Sequence, residues 1–213
     1  MTINTLLFDL DGTLIDTNEL IIQSFLHTLE PDFPGVYTRE TVLPFIGPPL
    51  VDSFSRIDAS RAEEWVRTYR DFNHQQHDAL VKEYPGVKTG IKTLHKQGYK
   101  LAVVTTKIRE TAQMGLELMG LSPYFDVIVA LDDVKHAKPH PEPLLEALRQ
   151  LDSKPEEAIM VGDNSHDVLA GKAAGTKTVA VGWALKGAEH LRTFAPDYIP
   201  ATMEELVEIV NRL

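Results

Sequence analysis

Ile3-Asn4-Thr5-Leu6-Leu7-Phe8-Asp9-Leu10-Asp11-Gly12-Thr13 carries a mostly apolar run straight into two carboxylates and a glycine. A run of this kind suits a buried strand. In a strand, side chains at i and i+2 share a face, so Asp9 and Asp11 converge where the extended chain ends. Gly12 frees the backbone to turn and to approach a ligand closely, and Thr13 sets a hydroxyl beside the turn. Two carboxylates this close repel each other, and a shared proton or a hard divalent cation relieves the repulsion. Magnesium suits such a crevice, because it is commonly held by one or two carboxylates together with substrate phosphate. The plainer alternative is a pair of solvated turn acids. The strand ahead and the Gly-Thr behind argue against it.

Working outward, Thr17–Leu29 has helical spacing with Thr17 as N-cap, followed by a short helix near Glu40–Phe45. Gly47-Pro48-Pro49 reads as a loop and roughly Ala59–Val81 as a longer helix. No strand is expected between Asp16 and Lys82, so this block reads as an all-helical insertion. From Tyr84 the pattern alternates. Helices at Val87–Gln97, Glu110–Met119, Glu142–Leu151 and Asp167–Ala174 precede strands at Lys100–Thr105, Val127–Leu131, Ala158–Gly162 and Thr178–Val181. A last strand at Asp197–Ile199 and a helix at Met203–Leu213 complete the reading. The expected fold class is α/β, a parallel sheet with helices on both faces. Ligands of such sheets gather beyond the carboxyl ends of the strands. Asp9–Asp11, Thr105-Thr106-Lys107, Asp132-Asp133 and Gly162-Asp163 are therefore expected on one rim.

The chain has 213 residues, 43% hydrophobic and 24% charged, an ordinary globular mixture that excludes disordered and collagen-like classes. No apolar run is long enough to span a bilayer, and no basic segment precedes the first apolar one, so neither a membrane span nor a signal peptide is expected. The absence of cysteine excludes disulfides, thiol catalysis and thiolate metal sites and fits a cytoplasmic location. A formal charge of −10 argues against binding to nucleic acid or anionic membranes. An anionic substrate would need local cations. Two offer themselves: Lys107 after the second strand, and Lys138, which Pro139, Pro141 and Pro143 present on a stiffened lead-in to a helix. His74 and His77 fall on one side of the long helix, within reach of an anion or a metal, although solvated surface histidines are the simpler account.

Asp9-Leu10-Asp11-Gly12-Thr13, Thr105 at a strand end, Lys138 before its prolines, and Gly162-Asp163 with Asp167 together resemble the four motifs of the haloacid dehalogenase-type phosphatases. The likeness spans the chain. It implies a Rossmann-like core over residues 1–15 and 83–213 and a small helical cap over 16–82. It also implies magnesium held by Asp9, Asp163 and Asp11, the last through its carbonyl. Asp9 would be the nucleophile forming an aspartyl-phosphate and Asp11 the proton donor and acceptor. Thr105 and Lys138 would hold and neutralise phosphate, with Asp167 orienting Lys138 or a metal-bound water. Gly47, Thr106 and Lys107 would complete the substrate site. Thr106 departs from the asparagine of many phosphoglycolate-phosphatase-like members. Within that branch the resemblance leans to the inorganic pyrophosphatases, implying hydrolysis of pyrophosphate released when the seryl-phosphorylated phosphocarrier HPr is dephosphorylated. The alternatives are a phosphatase of phosphoglycolate or another small phosphomonoester, a sugar phosphomutase, and a noncatalytic phosphate or magnesium sensor.

Overall fold

The computed structural model describes residues 2–213. Its strands are β1 (Thr5–Phe8), β2 (Ile15–Asp16), β3 (Lys82–Glu83), β4 (Lys100–Val104), β5 (Val127–Val129), β6 (Ala158–Gly162) and β7 (Lys177–Ala180). Five form a parallel sheet in the order β5-β4-β1-β6-β7, and β2 pairs with β3. The apolar opening segment thus forms the central strand. Its neighbours are set in matching register, with Phe8 opposite both Val103 and Val161. Strand order reverses at β1, which places the crevice of the sheet at the carboxyl end of that strand.

Alternation along β1 explains why the sheet is covered on both sides. Leu7 joins Ala102, Val104, Val129 and Met160 in one core with Leu144, Ala147 and Leu148. Leu6, Phe8, Val103 and Val161 point the other way and are equally buried. Each such side chain contributes about 1.5–3 kcal/mol by leaving water. The helices of this unit are α5 (Val87–Lys96), α6 (Arg109–Leu118), α7 (Glu142–Gln150), α8 (Ser165–Ala174), α9 (Ala188–Arg192) and α10 (Met203–Val210). They follow α1 (Asn18–Leu29), α2 (Arg39–Val42), α3 (Leu50–Asp58) and α4 (Ala62–Leu80) in the chain.

The chain divides into two compact units, one made of the stretch up to Asp16 with Glu83–Leu213, the other of Thr17–Lys82. The second unit is helical and has its own aromatic core. Phe25 sits at its centre, 4.9 Å from the ring of Tyr69 and 5.2 Å from that of Phe54. Trp65 is buried in the same core and donates its indole N–H to Asp32 at 2.8 Å.

Five details differ from the sequence expectation, the first being the short β2–β3 pair, which was not expected. A separate helix, α3, fills 50–58 where no helix was expected; its Leu50, Phe54 and Ile57 recur at helical spacing directly behind the loop signal Gly47-Pro48-Pro49, and its buried Ser53 donates to the Phe45 carbonyl. The short α9 was also not expected. Asp197–Ile199 makes one isolated bridge, Val179 to Tyr198, instead of a strand, because the Asp197 carboxylate accepts from the Thr178 N–H and hydroxyl and Pro200 follows at once. Finally, His74 and His77 do not share a face. His77 continues the buried stripe of Trp65, Tyr69 and Asn73, whereas His74 is exposed.

Phe25→Ala should lower the unfolding free energy of the helical unit by about 3–5 kcal/mol. Denaturant unfolding followed by Trp65 fluorescence in a Trp183→Phe background checks this.

Candidate active site

The register of β1, β4 and β6 brings the ends of three strands level. Asp9 follows Phe8, and its N–H donates to the Val161 carbonyl at 2.8 Å. Thr105 and Asp163 lie two residues beyond the Phe8 partners Val103 and Val161. Lys138 reaches the same point from the loop before α7. Its ammonium donates to Asp9 Oδ1 at 2.7 Å, to the Val104 carbonyl at 2.8 Å and to Asp167 Oδ1 at 2.6 Å. All of its hydrogens are used, and its side chain is only 2% exposed. The Lys138–Pro139 peptide bond is cis.

Asp167 is held from both sides. Its other oxygen, Oδ2, accepts the N–H of Asn164 at 3.0 Å, closing a capping box at the start of α8 in which Asn164 is the N-cap. Asp167 therefore caps the helix and orients Lys138 at once.

Carboxylate oxygens of Asp9, Asp163 and Asp167 lie within 4.8 Å of one another. Three buried acids share one ammonium, and the titration of the site reflects that imbalance. Burial, and then the charges of Asp167 and Asp11, outweigh Lys138 and push Asp9 up to about 7. Burial, and then Asp9 and Asp167, raise Asp163 well above the carboxylate range. For Lys138, burial favours the neutral amine, but Asp167 and Asp9 together hold it above the ordinary lysine value. An acid cluster short of positive charge, made only of oxygen donors, fits a hard divalent cation. The backbone fits it too: a Cβ on Gly12, whose φ is +75°, would stand 2.3 Å from Asp163 Oδ2. With both Asp167 oxygens committed, Asp9 and Asp163 are the side chains left to hold an ion.

Asp11 takes a different direction. Its carboxylate is not part of the cluster and lies 3.0 Å from the ammonium of Lys107. That ammonium is shielded from water and makes no aligned hydrogen bond, so its donors remain to be used. Thr105 is buried; its hydroxyl accepts the Lys107 N–H at 3.1 Å and keeps its own proton to donate. Thr106 lies beside it and is partly buried. Gly47 belongs to the helical unit, between Ile46 and α3, with φ of +117°. Asp132 and Asp133, on the same rim, anchor α6: Asp132 accepts the Arg109 N–H at 2.9 Å, and Asp133 pairs with the Arg109 guanidinium.

Lys186 escaped the sequence reading. It lies in the turn after β7 and feels the charges of Asp163 and Asp167, while burial lowers its own basicity. The rule that polar groups gather at strand ends draws attention to the segment after β7, but not to Lys186 itself, which lies beyond a turn. The Thr13 hydroxyl, expected beside the turn, is buried and has no hydrogen-bond partner among the described residues.

A parallel sheet with this rim defines a phosphohydrolase of the haloacid dehalogenase class. Residues 6–181 match the family profile of the haloacid dehalogenase-like hydrolases, and the chain belongs to that family. It is 60% identical over 211 residues to "Pyrophosphatase PpaX" of Anoxybacillus flavithermus, covering 99% of this chain and 98% of that one. Against the protein of the same name from Halalkalibacterium halodurans the identity is 61%, with the same coverage. Among solved structures, a predicted phosphatase from Clostridium acetobutylicum superposes with a TM-score of 0.91 at 30% identity over 100% of both chains. A haloacid dehalogenase-like family hydrolase from Streptococcus pneumoniae gives 0.87 at 28%, covering 97% of this chain and 98% of that chain.

The raised acids set a pH dependence. Asp9 and Asp163 bind protons more tightly folded than unfolded, so their contribution favours the fold below the ordinary carboxylate range and is lost as pH rises toward about 7. In chelator, the melting temperature of the wild type should fall relative to Asp163→Asn across that window. Parallel curves in differential scanning fluorimetry would contradict the charge imbalance.

Proposed function

We propose that this enzyme hydrolyses inorganic pyrophosphate to two phosphates with magnesium, through a phosphorylated Asp9. The observation that carries the reading is the buried Lys138 ammonium fixed between Asp9 and Asp167, with Asp163 alongside. The choice of pyrophosphate is supported by the pyrophosphatase relatives, which match over nearly the whole chain. The reading takes residues 1–15 and 83–213 as catalytic core, 16–82 as helical cap with Gly47 on a substrate loop, and the cytoplasm as location.

Asp9 and Asp163, with the backbone carbonyl of Asp11, would hold the magnesium ion, which when bound supplies charge neutralisation for the phosphoryl group. Lys138 opposes the rise in the Asp9 pKa, leaves the rest of the neutralisation that keeps Asp9 ionised to the magnesium ion, and also stabilises the charge on the phosphoryl oxygens. The Asp9 carboxylate forms a bond to phosphorus as the bridging P–O bond breaks, and the departing phosphate takes a proton from Asp11. Asp11, now ionised, accepts a proton from water; that water attacks phosphorus and the acyl-phosphate bond to Asp9 breaks. The sum is one water consumed and two phosphates released.

Lys107 has a specific part. Its ammonium lies 3.0 Å from the Asp11 carboxylate with donors still unused. An incoming phosphate draws the ammonium toward itself, and the Thr105 hydroxyl and Thr106 add donors there. That movement would take the ammonium away from the Asp11 carboxylate, the group assigned the proton transfer.

With magnesium, phosphate release should be faster from pyrophosphate than from phosphoglycolate or sugar phosphates, and Asp9→Asn should lower kcat by about a thousandfold or more. Full turnover by Asp9→Asn removes the mechanism; preference for a phosphomonoester removes only the substrate assignment. Lys107→Met should raise KM for pyrophosphate by about tenfold, the loss of a charged contact of 1.4 kcal/mol. An unchanged KM in initial-rate measurements would remove Lys107 from the substrate site.

A further inference from the structure

Outside the carboxylate cluster, a second group of metal-competent side chains converges on the loop that carries Lys138. One ligand atom from each of His136, His140 and Glu142 lies within 4.8 Å of the other two. His136 Nδ1 is 2.7 Å from Glu142 Oε2, and His140 Nδ1 is 3.9 Å from the same oxygen. The two imidazole rings lie with centroids 4.7 Å apart. Both histidines are exposed and Glu142 is partly so, which leaves an open path from solvent.

Their placement is fixed by backbone contacts. Glu142 Oε1 accepts the N–H of Lys135 at 2.9 Å, and Oε2 accepts that of His136 at 3.1 Å. The Glu142 N–H donates to His140 Nδ1 at 3.2 Å, and the His140 N–H donates to the Ala137 carbonyl at 3.0 Å. Pro139 and Pro141 restrict the chain between the ligands. These N–H bonds, and then His136, hold the Glu142 carboxyl below its usual range, so it stays ionised.

We propose that His136, His140 and Glu142 form a binding site for a divalent transition ion of the zinc type, separate from the magnesium site. Ligand atoms of a tetrahedral zinc site stand about 3.4 Å apart, given metal–ligand bonds near 2.1 Å, so rotation of the imidazoles, which at His140 exchanges the bond from the Glu142 N–H for the ion, would complete it. Water fills the remaining position. The donor set separates the two sites chemically. Imidazole nitrogen suits zinc, nickel and copper, whereas the all-oxygen cluster around Asp9 suits magnesium. His136 and His140 stand two residues before and two after Lys138, so an ion here ties down the loop on both sides of that lysine. The entering ion would take the place of the contact between His136 Nδ1 and Glu142 Oε2.

The test is zinc titration of the metal-stripped full chain against a chromogenic chelator, with excess magnesium present to occupy the carboxylate cluster. The wild type should take up one zinc equivalent. His136→Gln and His140→Gln, each with a wild-type circular dichroism spectrum, should each weaken it by at least about tenfold. Asp163→Asn should leave zinc affinity unchanged. The proposal is overturned if wild type binds zinc no better than His140→Gln, if only one histidine matters, or if affinity falls with Asp163→Asn instead.

Discussion

Three hydrogen bonds from one buried ammonium, to Asp9, to Asp167 and to the Val104 carbonyl, tie together parts of the chain that are otherwise far apart. Lys138 is 129 residues from Asp9 and 29 from Asp167. A lysine buried this deeply without partners would neutralise or move to solvent; with two carboxylates it is retained as a cation. The dependence is mutual. Removing Lys138 would leave Asp9, Asp163 and Asp167 as uncompensated buried acids, and the carboxyl ends of β1 and β6 would bear that repulsion directly.

Topology makes this convergence possible. Because β1 is central and β4 and β6 flank it on opposite sides, residues just past the ends of three strands share one rim with no loop having to travel far. Hydrogen bonding at the strand ends then sets the detail. Asp9 N–H is fixed to Val161 and Thr105 N–H to Val129, so both side chains leave the sheet at a defined height. The capping box of α8 adds Asp167 at that height from the helix side. Local rules of strand ending and helix starting thus position the site, while the burial of Leu7, Val104 and Met160 beneath it makes the position rigid.

The sheet was legible because its strands are continuous apolar runs, for which period and length leave little choice. The acids at the ends of β1 and β6 were legible for the same reason, since a carboxylate directly after a buried strand has few places to go. What escaped lacked such a signal. Helix α3 is short and starts directly behind Gly47-Pro48-Pro49, a loop signal that masks the helical spacing of Leu50, Phe54 and Ile57. The split between His74 and His77 turns on which edge of a helical stripe packs inward, and two residues three apart do not decide that. The pairing of Asp11 with Lys107 joins residues on two different strand ends, and nothing in either local sequence announces it. Lys186 sits beyond a turn whose length sets its reach, a quantity that spacing alone does not supply.

Charge at this rim resolves the conflict between an acidic protein and an anionic ligand. A net charge of −10 acts weakly at a distance, because physiological salt screens exposed charges beyond about 8 Å. Many surface acids are moreover paired at short range, as Glu19 is with Arg39 and Glu146 with Arg149. Inside the crevice screening is weak, and there the cations are Lys107, Lys138 and Lys186, none of them freely exposed. Lys138 is committed to fixed acids and sets the local potential without moving. Lys107 retains unused donors beside the Asp11 carboxylate, which makes it the cation able to change partners when a phosphate arrives. In the proposed reaction one ammonium, 3.0 Å from Asp11, therefore stands both where the substrate phosphate is attracted and beside the group assigned the proton transfer.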